Sequence, residues 1–95
     1  MSKNNEGYQH HKLKLEEQFV QPILNGEKTF EVRLNDRKFK VGDTIEFMPI
    51  AHWDNTIIFK WIPEITSKTY EITFVLEGWG IKEGYCVFSF KELKK

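Results

Sequence analysis

Cysteine is almost missing from this sequence. Cys86 stands alone, so no internal disulfide can form, and within an apolar strand-like run it reads as a small buried hydrophobe of a cytoplasmic protein, with no redox role. No apolar run approaches the length of a membrane span, and the first residues are polar, without a signal-peptide core. An excess of charge of one sign is lacking too. Fourteen basic and fourteen acidic residues give a formal net charge of zero, which argues against gripping long duplex nucleic acid by bulk electrostatics. Recognition of a base or a short single strand stays open, since a few aimed groups and a stacking surface suffice for it. The histidines have no cysteine or carboxylate cluster at ligand spacing beside them, so no metal is expected. Without repeats or a linker, 95 residues make one domain.

Aromatic residues are plentiful: eight Phe, three Tyr and three Trp, ample for a core that needs no metal or disulfide. Residues 1–10 read as a polar, aperiodic, flexible tail. Lys12-Leu13-Lys14-Leu15 alternates as a short first strand with its leucines inward, and the adjoining His10 and His11 read as solvated surface. Glu16 to Asn25 carries a helical stripe of Phe19, Val20, Ile23 and Leu24; Pro22 is tolerable only in a first turn, so the regular part is expected to begin near Gln21 or Pro22. Gly26 closes it. From Lys28 to Leu34 the side chains alternate, which predicts Phe30, Val32 and Leu34 buried on one face, with Lys28 at its mouth, and Thr29, Glu31 and Arg33 on the other.

Asn35-Asp36-Arg37 and Val41-Gly42-Asp43 are turns by composition. Thr44 to Met48 alternates as a strand, Pro49 to Thr56 has loop chemistry, and Ile57 to Ile62 has the composition of a hairpin arm that Pro63 ends. Lys68 to Leu76 predicts a strand with Tyr70, Ile72, Phe74 and Leu76 on one face and Thr69, Glu71, Thr73 and Val75 on the other. Gly78-Trp79-Gly80 and Gly84 break the chain, Tyr85 to Phe90 forms the closing strand, and the lysine-rich end is solvated. The class is therefore α+β, mainly β: five or six strands with one or two short helices, in a curved mixed sheet closing towards a barrel.

Lys28, Glu31 and Arg33 stand out as candidate site residues. Glu31 and Arg33 are same-face neighbours of opposite charge, so each can orient the other and still offer groups to a ligand, the Arg33 fork suiting a phosphate or a base edge. The plainer alternative is an exposed face of ordinary ion pairs, each contributing roughly 0 to 1 kcal/mol. Asn35, Asp36 and Arg37 serve as turn residues in any protein, with Arg37 the one able to reach a phosphate. Trp79, between two glycines, either presents its ring to a base or plugs the end of the barrel. Trp53 and Trp61 read as core or loop anchors.

The pattern G-x-K-x-x-E-x-R at Gly26 to Arg33 is followed by Arg33-Leu34-Asn35-Asp36-Arg37, Val41-Gly42-Asp43-Thr44-Ile45, Leu76-Glu77-Gly78 and Glu83-Gly84-Tyr85. With the start at His11 to Lys14, this series resembles the ASCH domain (activating signal cointegrator homology) of the PUA-like superfamily, in particular small bacterial and phage proteins with no assigned function. The match runs from about His11 to Phe90. It implies a PUA-like pseudo-barrel over residues 11–95, with a helix beside a ligand cleft that holds Lys28, Glu31 and Arg33, and with His11 at that cleft. The function it implies is RNA or nucleotide binding through Lys28, Glu31, Arg33, Asn35, Arg37 and Trp79, by a monomer without a cofactor.

Some ASCH proteins are amidohydrolases that remove an acyl group from a modified cytidine with a lysine, a threonine and a distant glutamate. Lys28 matches the lysine, but Glu31 stands where the threonine would be, and the distant glutamate is not assignable among Glu71, Glu77 and Glu83. If the chain is an enzyme, Lys28 and Glu31 are its candidates; yet a carboxylate beside Lys28 favours the ammonium form and weakens it as a general base. A small protein-interaction module with an aromatic surface is the third reading.

Overall fold

The computed structural model describes residues 7–94; residues 1–6 and Lys95 lie outside the described residues. Alternation sets the first element, β1 (His10–Glu16), in which Leu13 and Leu15 are buried and Lys12 and Lys14 exposed. A single 3-10 turn (Glu17–Phe19) leads into α1 (Val20–Leu24), then β2 (Phe30–Leu34), β3 (Thr44–Trp53), β4 (Thr56–Phe59), α2 (Pro63–Thr66), β5 (Tyr70–Leu76) and β6 (Tyr85–Glu92). The strands form one mixed sheet in the order β1-β3-β5-β6-β2, with β4 pairing β3. β1 runs parallel to β3 in register from His10↔Thr44 to Glu16↔Ile50, and the other pairs are antiparallel. β1 and β2, successive strands in the chain, thus lie at opposite ends of the sheet.

Leu13 and Leu15 of β1, Ile23 of α1, Phe47 of β3, Ile65 of α2, Ile72 of β5 and Phe88 of β6 form one core, each side chain contributing roughly 1.5 to 3 kcal/mol through burial. The rings of Phe47, Tyr70 and Phe90 meet with centroids 5.3 to 5.4 Å apart, in tilted and edge-on contacts that suit their quadrupoles.

The class is α+β and mainly β, but the sheet does not close into a barrel. β2 turns Glu31 and Arg33 inward, and guanidinium groups, not a ladder, span the gap to β1.

The expected burial of β2 is inverted: Glu31 is 5 % exposed, whereas Phe30 is 44 % exposed and Val32 and Leu34 are open as well. The alternation itself holds. Its direction is set by pairing, because Glu31 lies opposite Phe88 and Arg33 opposite Cys86, and those two β6 residues are core; cross-strand neighbours share a face. On β5 the alternation survives only to Ile72. A bulge between Ile72 and Phe74 shifts the phase, so Phe74 faces solvent and Val75 packs against the core.

His11 is not solvated surface. It shares the inward parity of Leu13 and is buried on Asp43. The loop expected over 49–56 is mostly strand: β3 continues through Pro49 to Trp53, and Asp54 and Asn55 (φ 52° and 66°) make a tight two-residue hairpin turn into β4. The arm expected to run to Ile62 stops at Phe59, short of Pro63, which opens α2, since proline suits a first helical position. Trp53 and Trp61 anchor nothing, being largely exposed on and after this hairpin. Trp79 is 89 % exposed, which rules out a plug.

The expected tail over 1–10 falls partly outside the described residues. Within them, His10 belongs to β1 and the Gln9 N–H donates to Asp43 Oδ1 at 3.0 Å. Gly42 (φ +99°) lies so close to the Tyr8 ring that a Cβ there would collide with it.

Candidate functional site

Lys28 is delivered by the end of α1. The Gly26 N–H donates to the Ile23 carbonyl, and the Pro22 carbonyl accepts from both Glu27 and Lys28 N–H groups, at 2.9 and 3.0 Å. Gly26 supports this reversal at φ +77°. The Lys28 ammonium then donates to Glu31 Oε2 at 2.5 Å and to the Phe30 carbonyl at 2.7 Å, and it lies 4.9 Å from the Phe19 ring centre, a cation–π distance.

Glu31 Oε1 accepts the Arg33 Nε–H at 3.0 Å, and Arg33 Nη2 donates to the Lys14 carbonyl at 2.6 Å. Arg37 Nη1 reaches the Lys12 carbonyl at 3.1 Å. Lys12 and Lys14 are alternate residues of an edge strand whose sheet neighbour is β3; carbonyls on the far side of such a strand have no ladder partner, and the guanidinium groups supply one.

One buried carboxylate therefore holds two cations. Arg33 commits two of its five N–H groups to these contacts and Lys28 two of its three. The surplus donors keep fixed directions, and the cluster carries one net positive charge.

Of the residues singled out in the sequence, Lys28, Glu31 and Arg33 are brought together, with Arg37 on the same edge of β1. Asn35 and Trp79 belong elsewhere, at the turn between β5 and β6. The Asn35 N–H donates to the Gly84 carbonyl at 2.8 Å, its Oδ1 accepts the Phe39 N–H at 3.0 Å, and its Nδ2 donates to Glu77 Oε2 at 2.5 Å. Asn35 and Glu77 line an open cavity of about 430 Å³ together with Lys82, Glu83 and Tyr85. Asp36 stays an exposed turn residue.

Asp43 is the structural residue the sequence reading missed. It is 0 % exposed and accepts from Gln9 N–H at Oδ1 and from Lys40 N–H and His11 Nε2 at Oδ2, at 3.0, 3.2 and 2.9 Å. The Phe39 ring lies 4.7 Å from the His11 ring. Its signal, Val41-Gly42-Asp43, was legible only as a turn. Glu77 had one too, Leu76-Glu77-Gly78, with nothing in the local pattern to join it to Asn35.

Burial, and after it the Glu77 carboxylate, pushes the Cys86 thiol up, so it is no ready nucleophile. Burial, and then Glu92, pushes the Tyr70 phenol up to about 12. Among the described residues no three His, Cys, Asp or Glu side chains gather as a metal site, and no helix is long and apolar enough to cross a membrane.

No curated protein matches the chain. Residues 10–90 match the family described as Domain of unknown function (DUF3850), and the chain belongs to that family.

Proposed function

We propose that this DUF3850 domain binds RNA or a nucleotide in the manner of an ASCH, PUA-like module, as a cytoplasmic monomer, and takes a phosphate or base edge along the β1–β2 gap. The observation that carries this reading is the Glu31 carboxylate, buried and clamped between Lys28 and Arg33. A buried carboxylate is costly unless paired. Here two cations more than neutralise it, which leaves oriented donors and a surplus positive charge in a chain whose net charge is zero. Arg37 adds a second guanidinium on the same edge. Such an arrangement favours a ligand with few phosphates over a long duplex.

The amidohydrolase reading has less support. Lys28 is engaged as a donor to Glu31 and the Phe30 carbonyl, and among the described residues no hydroxyl hydrogen-bonds to the cluster to act as nucleophile.

Binding of short labelled single-stranded RNA, followed by fluorescence anisotropy, should weaken along a shallow salt slope. Arg33→Lys should lose at least several-fold in affinity, because the charge is kept but the planar fork is not. Unchanged affinity in that variant would remove the proposed role of the cluster. Release of acetate from N4-acetylcytidine that vanishes in Lys28→Ala would put the hydrolase first.

A further inference from the structure

We infer that the cavity at the β5–β6 turn is a base pocket selective for guanine; this rests on the RNA-binding reading above and names the base that the bound strand must offer. The cavity, about 430 Å³, lies within the range of small-ligand sites, roughly 300 to 1,000 Å³. Its lining residues include Glu77, Glu83 and Lys82. Two negative groups against one positive make it a poor phosphate site and a good site for a neutral donor edge.

Glu77 is held in place. The Phe39 N–H requires Asn35 to present Oδ1 to it, so Nδ2 of the same amide must face Glu77, where it donates to Oε2. Among the described residues Oε1 takes no hydrogen bond. A carboxylate positioned in this way offers acceptors side by side, and guanine alone among the four bases presents two adjacent donors, N1–H and the N2 amine, on its Watson–Crick edge. Adenine and cytosine set a ring acceptor beside their amine, and uracil flanks its N–H with two carbonyls; each of these would bring oxygen or nitrogen lone pairs against Glu77. Lys82, above the Tyr85 ring with its ammonium 5.5 Å from the ring centre, supplies a donor for guanine O6.

The turn that lines the cavity through Gly78 and Ile81 also carries Trp79 between them in the chain. Gly78, Trp79 and Gly80 have φ of +74°, +55° and +88°, and Ile81 N–H to the Gly78 carbonyl, at 2.9 Å, closes the turn. Left-handed backbone is unfavourable for a bulky L residue. Trp79 adopts it while remaining 89 % exposed, so no packing contact offsets the strain; the ring is presented to solvent, where a base can stack on it.

The test uses fluorescence anisotropy with short oligouridine RNA, with and without one central guanosine, plus the same oligonucleotide carrying inosine, which lacks the N2 amine. The guanosine oligonucleotide should bind the wild-type protein about tenfold more tightly than the guanine-free one, and inosine should lose most of that gain. Glu77→Gln keeps an oxygen for Asn35 but removes the second acceptor, so it should abolish the guanosine gain; Trp79→Ala should weaken the guanosine complex by roughly tenfold, the scale of one base stack. Circular dichroism checks that both variants are folded. RNA binding without any guanosine gain would overturn the pocket and leave the RNA reading standing. Quenching of tryptophan fluorescence by GMP that is lost in Glu77→Gln, in a protein that binds no RNA, would support the pocket and overturn the RNA reading. Absence of both would end both.

Discussion

Arg33 Nη2 donates to the Lys14 carbonyl at 2.6 Å and joins β2 to β1 across the open side of the sheet, while Nε of the same guanidinium holds Glu31 at 3.0 Å. A single side chain thus orients the buried carboxylate and caps an edge-strand carbonyl. Exposed edges invite pairing with other chains, and the guanidinium groups of Arg33 and Arg37 occupy this one. Removing the carboxylate leaves Lys28 and Arg33 facing each other without a counter-charge. Glu31→Gln should lower stability by about 1 to 3 kcal/mol, read as a lower midpoint in urea with an unchanged slope.

Asp43 accepts three hydrogen bonds from two segments of the chain, Gln9 and His11 flanking the start of β1 and Lys40 just before Asp43 itself. Asp43→Ala leaves the buried His11 ring without its partner and takes the shared acceptor from the part-buried Gln9 and Lys40 N–H groups, and should cost about 2 to 4 kcal/mol. The nearby exposed Asp36→Ala should stay within about 0.5 kcal/mol. Equal midpoints for the two variants would show that the buried carboxylate has no structural role.

Tyr70 ties stability to alkaline pH. Its phenol is pushed up to about 12 in the folded chain against about 10 when unfolded, so between these values the native state holds a proton that the unfolded chain has lost. The contribution is full below about pH 10 and is lost as pH rises towards 12. Tyr70→Phe should flatten this alkaline decline in unfolding midpoints, and the phenolate absorbance of the wild type minus that of the variant should rise near pH 12.

Cys86 is 0 % exposed and its thiol is pushed up by burial. An aromatic disulfide reagent should therefore leave the native protein unlabelled at neutral pH and label one thiol per chain in denaturant. Rapid labelling of the native protein would mean that β6 opens readily.

All three tryptophans are exposed, so the fluorescence emission of the folded protein should resemble that of indole in water and change little on unfolding. Trp79→Gly relieves a left-handed backbone and should stabilise the fold by about 0.5 to 1 kcal/mol, less than the local strain because the unfolded chain gains freedom. A loss of stability would assign the indole a packing role.

Local pattern was enough to locate β1, β5 and β6, the short helix after β1, and the pairing of Glu31 with Arg33, because each depends on spacing along the chain: side chains two apart in a strand share a face wherever that face points. Direction is another matter. Phe30-Glu31-Val32-Arg33-Leu34 offers an apolar and a charged face, and hydrophobicity alone favours burying the first; register with Cys86 and Phe88 buries the second, at a desolvation cost that Lys28 and Arg33 offset. The bulge after Ile72, the junction of His11 with Asp43 and that of Asn35 with Glu77 likewise join residues that are distant in sequence or depend on a partner strand. The elements and their alternation can be read from the amino acids in order, since these follow from local periodicity. Which faces turn inward and which charges meet become visible in the folded chain alone, since those follow from strand register, a property of two segments at once.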